Sequence, residues 1–233
     1  MSIINSIRSQ LSPIHPQGYP FIGAFAVVTV VLFWLWAPLG VVAAIATAWC
    51  LYFFRDPQRI TPVREGLVVA PADGRISQIS PAIAPPELGF GAETFLRISI
   101  FMSVFDCHIN RSPVAGRIER IVYRAGAFIS ADLDKASEAN ERNGFVIEAS
   151  DGIRIPVVQI AGLVARRIVP FVRDGELLVA GQRIGMIRFG SRVDVYLPAA
   201  TVPLVGEGQS AIAGETVLAD LKIMQRAPAF KAE

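Results

Sequence analysis

The sequence is poor in the residues that mark several common protein classes. Only two cysteines occur in 233 residues, Cys50 in an apolar run and Cys107 in a polar motif. A disulfide framework is therefore not expected, and a reducing compartment is favoured. The two histidines and the absence of C-x-x-C or H-x-x-x-H spacing argue against a metal site. The balance of 22 basic and 20 acidic residues gives no indication of nucleic acid binding.

Nucleotide-binding and hydrolase motifs are also missing. The sequence contains no G-x-G-x-x-G and no G-K-[ST], which excludes the common phosphate-binding loops. The segment "FGSRV" is not the G-x-S-x-G turn of serine hydrolases. Lysine is scarce as well, and arginine supplies most of the positive charge. Because its planar fork matches carboxylate and phosphate groups, arginine suits an anionic ligand.

Apolar residues are abundant, at 52% of the chain with a mean hydropathy of +0.46. No charge occurs from Tyr19 to Phe54, and "WAPLG" at 36–40 divides this run into halves near the lower limit of about 17 residues for a spanning helix. We predict that residues 1–54 form membrane-associating helices: an interfacial helix in residues 2–11, and after it a hairpin over 19–54 that either spans the bilayer or only dips into it. Basic flanks at Arg8 and Arg55 favour the cytoplasmic side. The alternative is a buried core hairpin.

The remainder, residues 55–233, has the pattern of a mainly β domain. Short alternating or apolar runs are separated by glycine, proline, asparagine and aspartate. One segment, "ADLDKASEANER" at 131–142, predicts a short helix instead, capped by Ser130. We therefore expect strands with one or two short helices.

Two internal echoes suggest repeated turn-strand units. "PADGRISQI" at 71–79 matches "PVAGRIERI" at 113–121, and "AGQRIGMI" from Ala180 matches "AGETVLAD" from Ala213. Such repetition is typical of barrel-sandwich folds related to lipoyl and biotinyl domains. Asp73 in the first copy stands where the second has Ala115, so the turn itself does not require a carboxylate. Aspartate is nevertheless a common turn residue.

The candidate reactive residues lie in two further segments. In "MIRFGSRVDVYLP" at 186–198, the alternation places Ser191, behind Gly190, on the inward face with valines. In "FMSVFDCHINRSPVAGRI", His108 follows a core strand within a polar cluster that includes Asn110 and Arg111. His108 is the only side chain of the β domain that titrates near neutrality without a pKa shift, although a structural histidine is the alternative.

Four segments in order resemble the phosphatidylserine decarboxylase proenzymes, in particular their short form. They are "PADGRI" at 71–76, "DCHINRSP" at 106–113, "NERN" at 140–143 and "GQRIGMIRFGSRVDVYLP" at 181–198, behind an apolar N-terminus. The resemblance extends from Arg55 to about Ala219. It implies a pyruvoyl-dependent decarboxylase that acts on phosphatidylserine in the membrane, as a peripheral or monotopic protein of the cell membrane.

The resemblance also implies site residues. The chain would cut itself between Gly190 and Ser191, giving fragments 1–190 and 191–233 that stay together as a heterodimer, and Ser191 would become the pyruvoyl cofactor. Asp73 and His108 match the family's Asp-His pair, which acts as the base that takes the serine proton. His108 would also return a proton to the decarboxylated carbon. Arg111, together with Asn110, is the candidate for substrate binding. No metal is implied.

One position departs from the family pattern. Longer members carry a second histidine three residues beyond the first, where this sequence has Arg111. Either His108 serves both processing and decarboxylation, or processing relies on Asp73 and the backbone. Two other functions stay open: decarboxylation of a serine-headed ether lipid, and a non-enzymatic, membrane-tethered biotinyl-like module. A homo-oligomer is possible.

Overall fold

The computed structural model describes residues 12–127, 140–162, 167–188, 191–222, 228 and 230. Contacts between Cα atoms divide the chain into two compact units, 1–58 and 59–233. Helices form the described part of the first unit, and strands dominate the second. The prediction of a mainly β fold behind an N-terminal apolar helix is thereby confirmed.

The first unit contains a helical hairpin. Helix α1 spans Tyr19–Leu35 and helix α2 spans Ala37–Phe53, with the extended residue Trp36 between them. The hydroxyls of Thr29 and Thr47 lie 2.9 Å apart across the pair. The stretch 16–35, which contains α1, is long and apolar enough to cross a membrane, whereas α2 is shorter. Many valine, leucine and aromatic side chains point outward from both helices, as expected of a surface that contacts lipid.

Thirteen strands form three antiparallel sheets in the described part of the second unit. Their bounds are β1 Leu67–Val69, β2 Gly74–Ile83, β3 Thr94–Met102, β4 Ile109–Arg111, β5 Gly116–Arg124, β6 Arg142–Ala149, β7 Arg154–Ala161, β8 Arg167–Pro170, β9 Leu177–Leu178, β10 Arg183–Arg188, β11 Ser191–Pro198, β12 Ser210–Ala211 and β13 Val217–Asp220. The largest sheet has the order β12-β2-β3-β11-β7-β6-β5-β9. Smaller sheets have the orders β4-β10-β8 and β1-β13.

Both faces of the eight-stranded sheet are buried at its central strands β11, β7 and β6. One face bears the main hydrophobic core, to which β11 contributes Val193, Val195 and Leu197. The other face carries a smaller cluster that includes Phe95 and Tyr196. The predicted alternation along β11 is therefore present, but its second face is covered rather than solvated.

The chain changes sheets directly before Ser191. Strand β10 belongs to the three-stranded sheet and ends at Arg188, and β11 begins at Ser191 in the eight-stranded sheet. The two intervening residues, Phe189 and Gly190, lie outside the described residues. The sequence pattern predicted an interruption at the Gly-Ser step, but not that the strands on its two sides belong to different sheets.

The internal echoes correspond to repeated turn-strand units. Strands β2 and β5 begin at Gly74 and Gly116, and each pairs with the next long strand, β3 or β6. Both pairings carry a register shift, between Ile76 and Gln78 in the first and between Ile118 and Arg120 in the second. The repetition predicted from the sequence is confirmed.

Two helix predictions have different outcomes. The interfacial helix expected in residues 2–11 and most of the helix expected at 131–142 lie outside the described residues. The last residue of the second segment, Arg142, begins strand β6 rather than ending a helix. Its backbone pairs with Ile160 of β7, because the "NERN" segment leads into the sheet. The described part of the β unit includes one short 3-10 helix, Pro86–Leu88.

Candidate active site

Ser191 lies in the interior of the protein at the first position of β11. Its Cα pairs with Met102 of β3 on one side and with Ala161 of β7 on the other. The residue is fully buried, and its Oγ donates to the Met102 sulfur over 3.4 Å. Thioether sulfur is a weak acceptor, so this contact holds the hydroxyl only lightly. Ser191 is thus a buried hydroxyl on the face of the main core, as its parity predicted.

A chain of buried amides leads to the same sulfur. Asn110 Nδ2 lies 3.6 Å from Met102 Sδ, and Asn110 Oδ1 accepts from Gln159 Nε2 over 2.7 Å. Gln159 Oε1 in turn accepts from Asn143 Nδ2 over 3.2 Å. All three amides are at most 1% exposed. The arrangement connects the three-stranded sheet, through β4, to β7 and β6 of the large sheet.

Sequence reasoning singled out Asn110 but missed Gln159 and Asn143. The signal available was a glutamine within the apolar strand "IRIPVVQI" and an asparagine within "NERN". Both residues share the strand parity of core residues. Gln159 lies on the same face of β7 as Val157 and Ala161, and Asn143 lies on the same face of β6 as Phe145 and Ile147. A polar residue at a core parity is the pattern that had identified Ser191.

His108 lies in the connection between β3 and β4 and is fully buried. Its Nδ1 lies 3.0 Å from the carbonyl oxygen of Asp106, and its own carbonyl accepts from Ile187 N of β10 over 3.3 Å. The connection is tightened by the Asp106 carboxylate, which accepts from Ser103 N over 2.7 Å. This loop begins directly after Met102, the residue that the Ser191 hydroxyl contacts. His108 is therefore six residues along the chain from that contact.

Asp73 lies in the turn before β2. Its carboxylate forms an ion pair with Arg59, with 2.6 Å between Nη2 and Oδ2, and accepts from Ala213 N over 2.8 Å. The next residue, Gly74, packs on the end of β3: a Cβ there would lie 2.1 Å from the Phe101 carbonyl oxygen. Asp73 therefore adjoins the end of the strand that pairs with Ser191.

Arg111 follows Asn110 on β4 and is 7% exposed. Its Nη1 donates to the Gly181 carbonyl over 2.8 Å, and its side chain packs near Gly214. These contacts hold the two "AG" turns of the internal echo.

Two further arginines, Arg167 and Arg188, occupy opposite positions on β8 and β10. Burial and the charge of Arg167 lower the pKa of Arg188.

An ion pair lies on the face of β11 opposite to Ser191. Arg192 Nε lies 2.9 Å from Asp194 Oδ1, and both side chains are at most 2% exposed. Burial and the charge of Asp194 raise the pKa of Tyr196. Adjacent residues 191 and 192 therefore face two different buried environments, one nearly neutral and one charged.

Comparisons with known proteins bear on the same region. The family model described as "Phosphatidylserine decarboxylase" matches residues 46–219, which contain all of the residues above. The chain belongs to the phosphatidylserine decarboxylase family. It is 64% identical over 217 residues to a phosphatidylserine decarboxylase proenzyme of Nitrobacter winogradskyi, a match that covers 93% of this chain and 88% of that protein.

This family is the one that the four sequence segments resembled, so the predicted family is confirmed. Membership makes this chain an enzyme of the decarboxylase class, and the name of its Nitrobacter relative describes a proenzyme. A biotinyl-like module without enzymatic activity is thereby excluded as the family of this chain. The roles of the individual residues stay predictions.

Proposed function

We propose that this chain is a proenzyme that cuts itself between Gly190 and Ser191 and then decarboxylates phosphatidylserine to phosphatidylethanolamine and CO2. The observation that carries the proposal is the position of Ser191. A buried hydroxyl opens a central strand and is held lightly by a thioether sulfur, to which the Asn110 amide also donates. Packing alone would favour an apolar side chain there, like Val193 on the same face.

The proposed processing uses the Ser191 hydroxyl as a nucleophile. Oγ adds to the carbonyl carbon of Gly190, and the C–N bond breaks, which converts the amide into an ester. Loss of the Cα proton and cleavage of the Cβ–Oγ bond then release fragment 1–190 with a carboxylate. Water replaces the nitrogen, which leaves as ammonia, and the second fragment begins with a ketone. A base must take the hydroxyl proton, and we assign this task to Asp73 and His108.

The surroundings of Ser191 suit a small ketone at the new N-terminus, because they combine burial with the Asn110 amide donor. A pyruvoyl group supplies an electrophilic carbonyl that condenses with the substrate's amine and accepts the electrons released with CO2. His108 is the proposed acid that returns a proton to the substrate carbon. Arg111 is proposed to bind the substrate phosphate, and the Arg167–Arg188 pair offers a second cationic group three residues from Ser191.

The proposal includes the membrane. We assign residues 1–54 to N-terminal membrane-associating helices and 55–233 to the self-processing domain, with fragments 1–190 and 191–233 forming a heterodimer. The apolar outward side chains of α1 and α2 support this assignment. The basic residues that flank the hairpin favour the cytoplasmic side of the cell membrane for the catalytic domain. Phosphatidylserine is favoured over an ether lipid because the Nitrobacter relative is named for it.

The test is an intact-mass measurement of the purified protein. We expect two species, 1–190 and 191–233, the second resistant to Edman degradation because a ketone replaces its amine. Ser191→Ala should give one uncut chain without decarboxylase activity. Ser99→Ala is the matched control, since Ser99 is also fully buried in the eight-stranded sheet and should leave cleavage complete. A single 25.2 kDa species in a fully active wild-type preparation would rule out the mechanism.

A further inference from the structure

The three buried amides point in one direction. Asn143 donates to Gln159, Gln159 donates to Asn110, and Asn110 directs its own NH2 group toward Met102. An amide has one donor end and one acceptor end, so the orientation of each fixes the next. The outcome of this order is a donor, rather than a carbonyl oxygen, at the Met102 sulfur that the Ser191 hydroxyl also contacts.

Met102 receives two donors at its sulfur. The Ser191 hydroxyl and the Asn110 amide both lie within hydrogen-bonding distance of Sδ. Because a thioether is a weak acceptor, either donor turns readily to a stronger one. When Oγ attacks a carbonyl, negative charge develops on oxygen and provides such an acceptor.

We propose that Gln159 and Asn143 are positioning residues for self-cleavage: they hold the Asn110 amide with its donor end toward the Met102 sulfur that Ser191 contacts, and from there the donor turns to stabilise the negative charge that forms during the acyl shift. The inference rests on the proposed function. A donor held in place beforehand is the usual means of stabilising such charge, and loss of one costs about 10² to 10³ in rate.

The composition of the site supports a function beyond packing. Burying an amide costs free energy unless its hydrogen bonds are satisfied, and apolar side chains of similar shape would fill the same space at no such cost. The strand context is apolar, since the neighbours of Gln159 on the same face are Val157 and Ala161. Gly185 of β10 leaves room for the amide: a Cβ there would lie 2.9 Å from Gln159 Nε2.

One isosteric substitution can reverse the donor-acceptor direction of the hydrogen bonds that connect the three amides. In Gln159→Glu, a protonated carboxyl can donate to Asn110 Oδ1 and accept from Asn143, as glutamine does. An ionised carboxylate only accepts, so Asn110 would turn its NH2 group to residue 159 and present an oxygen to the Met102 sulfur and the Ser191 hydroxyl bound there. Burial raises the pKa of such a carboxyl above its usual value near 4.3. Gln159→Met fills the same volume without relaying any direction.

The experiment follows cleavage of full-length protein made by cell-free synthesis with phospholipid vesicles, stopped and shifted to buffers between pH 5 and 8. For Gln159→Glu we expect cleavage close to wild type at low pH, becoming about 10²-fold slower as pH rises through the pKa of the new carboxyl. For Gln159→Met we expect slow cleavage at every pH relative to wild type. Circular dichroism of the uncut protein checks folding.

The ionisable groups near residue 159 are the same in wild type and in both Gln159 variants. On β7 and the elements around it these groups are Arg154 on β7 itself, Glu141 directly before β6, Arg142 and Glu148 on β6, Arg167 on β8, Arg183 and Arg188 on β10, His108 before β4, Arg111 on β4, and Arg192, Asp194 and Tyr196 on the far face of β11. Dividing the rates of each variant by those of wild type at the same pH removes their contribution. A difference that depends on pH in Gln159→Glu alone is therefore assigned to residue 159.

The outcomes separate the two proposals. If wild type is cut and folded Gln159→Met is cut equally fast, the positioning role is wrong and the proposed function stands. A Gln159→Glu profile parallel to wild type would likewise overturn the role, even if Gln159→Met fails to fold. If wild type is never cut, or Ser191→Ala is cut, self-cleavage itself fails.

Discussion

The first turn-strand repeat, residues 71–102, and the second, residues 113–149, share a framework but differ in chemistry. Their first glycines are matched closely: a Cβ on Gly74 would lie 2.1 Å from the Phe101 carbonyl oxygen, and one on Gly116 would lie 2.3 Å from that of Glu148. Ile76 N and Ile118 N each donate over 2.9 Å to a carbonyl of a following turn. The repeats therefore solve the same packing problem twice.

The differences lie in two places. At the turn, the first repeat carries Asp73 with its bonds to Arg59 and Ala213 N, whereas the second carries the exposed Ala115. After the second long strand, the first repeat continues into the loop with His108, whereas the second makes a tight turn in which Gly152 N donates to the Ala149 carbonyl. Because the framework tolerates both versions, the aspartate and the histidine are additions to it rather than requirements of it.

The largest effect should come from the loop that follows the first repeat. His108→Ala should lower decarboxylation by about 10² to 10⁴, the usual contribution of general acid-base assistance. Cleavage should be delayed but detectable, because it occurs once per chain and a slowed single event can still finish. Chain cleavage on gels and CO2 release from labelled phosphatidylserine would be measured in the same samples.

The control lies in the second repeat. Asp151→Ala, in its exposed tight turn, should change neither cleavage nor CO2 release. Near wild-type decarboxylation by His108→Ala would remove this histidine from the chemistry. Accumulation of fully uncut protein would instead make it the essential base for Ser191.

A smaller effect is expected from exchanging the turn residues. Asp73→Ala gives the first repeat the residue of the second and should slow cleavage while the fold is retained. Asp73→Asn keeps an acceptor for Ala213 N and removes the charge, so it separates the hydrogen bond from the base. Ala115→Asp, the reverse exchange, should leave cleavage unchanged. Cleavage time courses and circular dichroism test these variants, and unfolding of Asp73→Ala would show that the carboxylate is structural.

Local patterns in the sequence were sufficient for part of this picture. The uncharged run located the hairpin, the period-two pattern placed Ser191 on the core face, and the P-x-x-G-R-I echo found the repeats. Each of these signals lies within one short segment. The change of sheet before Ser191, the amide chain from Asn143 and the burial of Arg192 depend on which distant strands are neighbours. Register between strands far apart in sequence cannot be read from a single segment.

The smallest effect concerns a link between the two repeats. Glu87, in the β2–β3 connection of the first, accepts at its two carboxylate oxygens from Nε and Nη2 of Arg142 on β6, and its Oε2 lies 3.4 Å from Arg124 Nη1 of β5. Burial alone would raise the pKa of Glu87, but the hydrogen bonds and charge of Arg142, with Arg124, outweigh it and lower the pKa below its usual value. Its folded-state pKa thus lies below the unfolded one. The stabilisation is present above the unfolded pKa and is lost as pH falls through the folded pKa.

Glu87→Gln should therefore lower the free energy of unfolding by about 1 to 3 kcal/mol at pH 7, since it removes a hydrogen-bonded charge from a partly buried site. The difference from wild type should shrink as pH falls through the lowered folded-state pKa, because wild-type Glu87 then becomes protonated as well. Denaturant unfolding of the full chain in detergent, at pH 7 and through the acid range, measures it. Glu119→Gln is the matched control, because Glu119 pairs with Arg120 at the surface and such pairs contribute little. Equal losses in the two variants, or a loss for Glu87→Gln that does not depend on pH, would mean that this ion pair does not hold the repeats together.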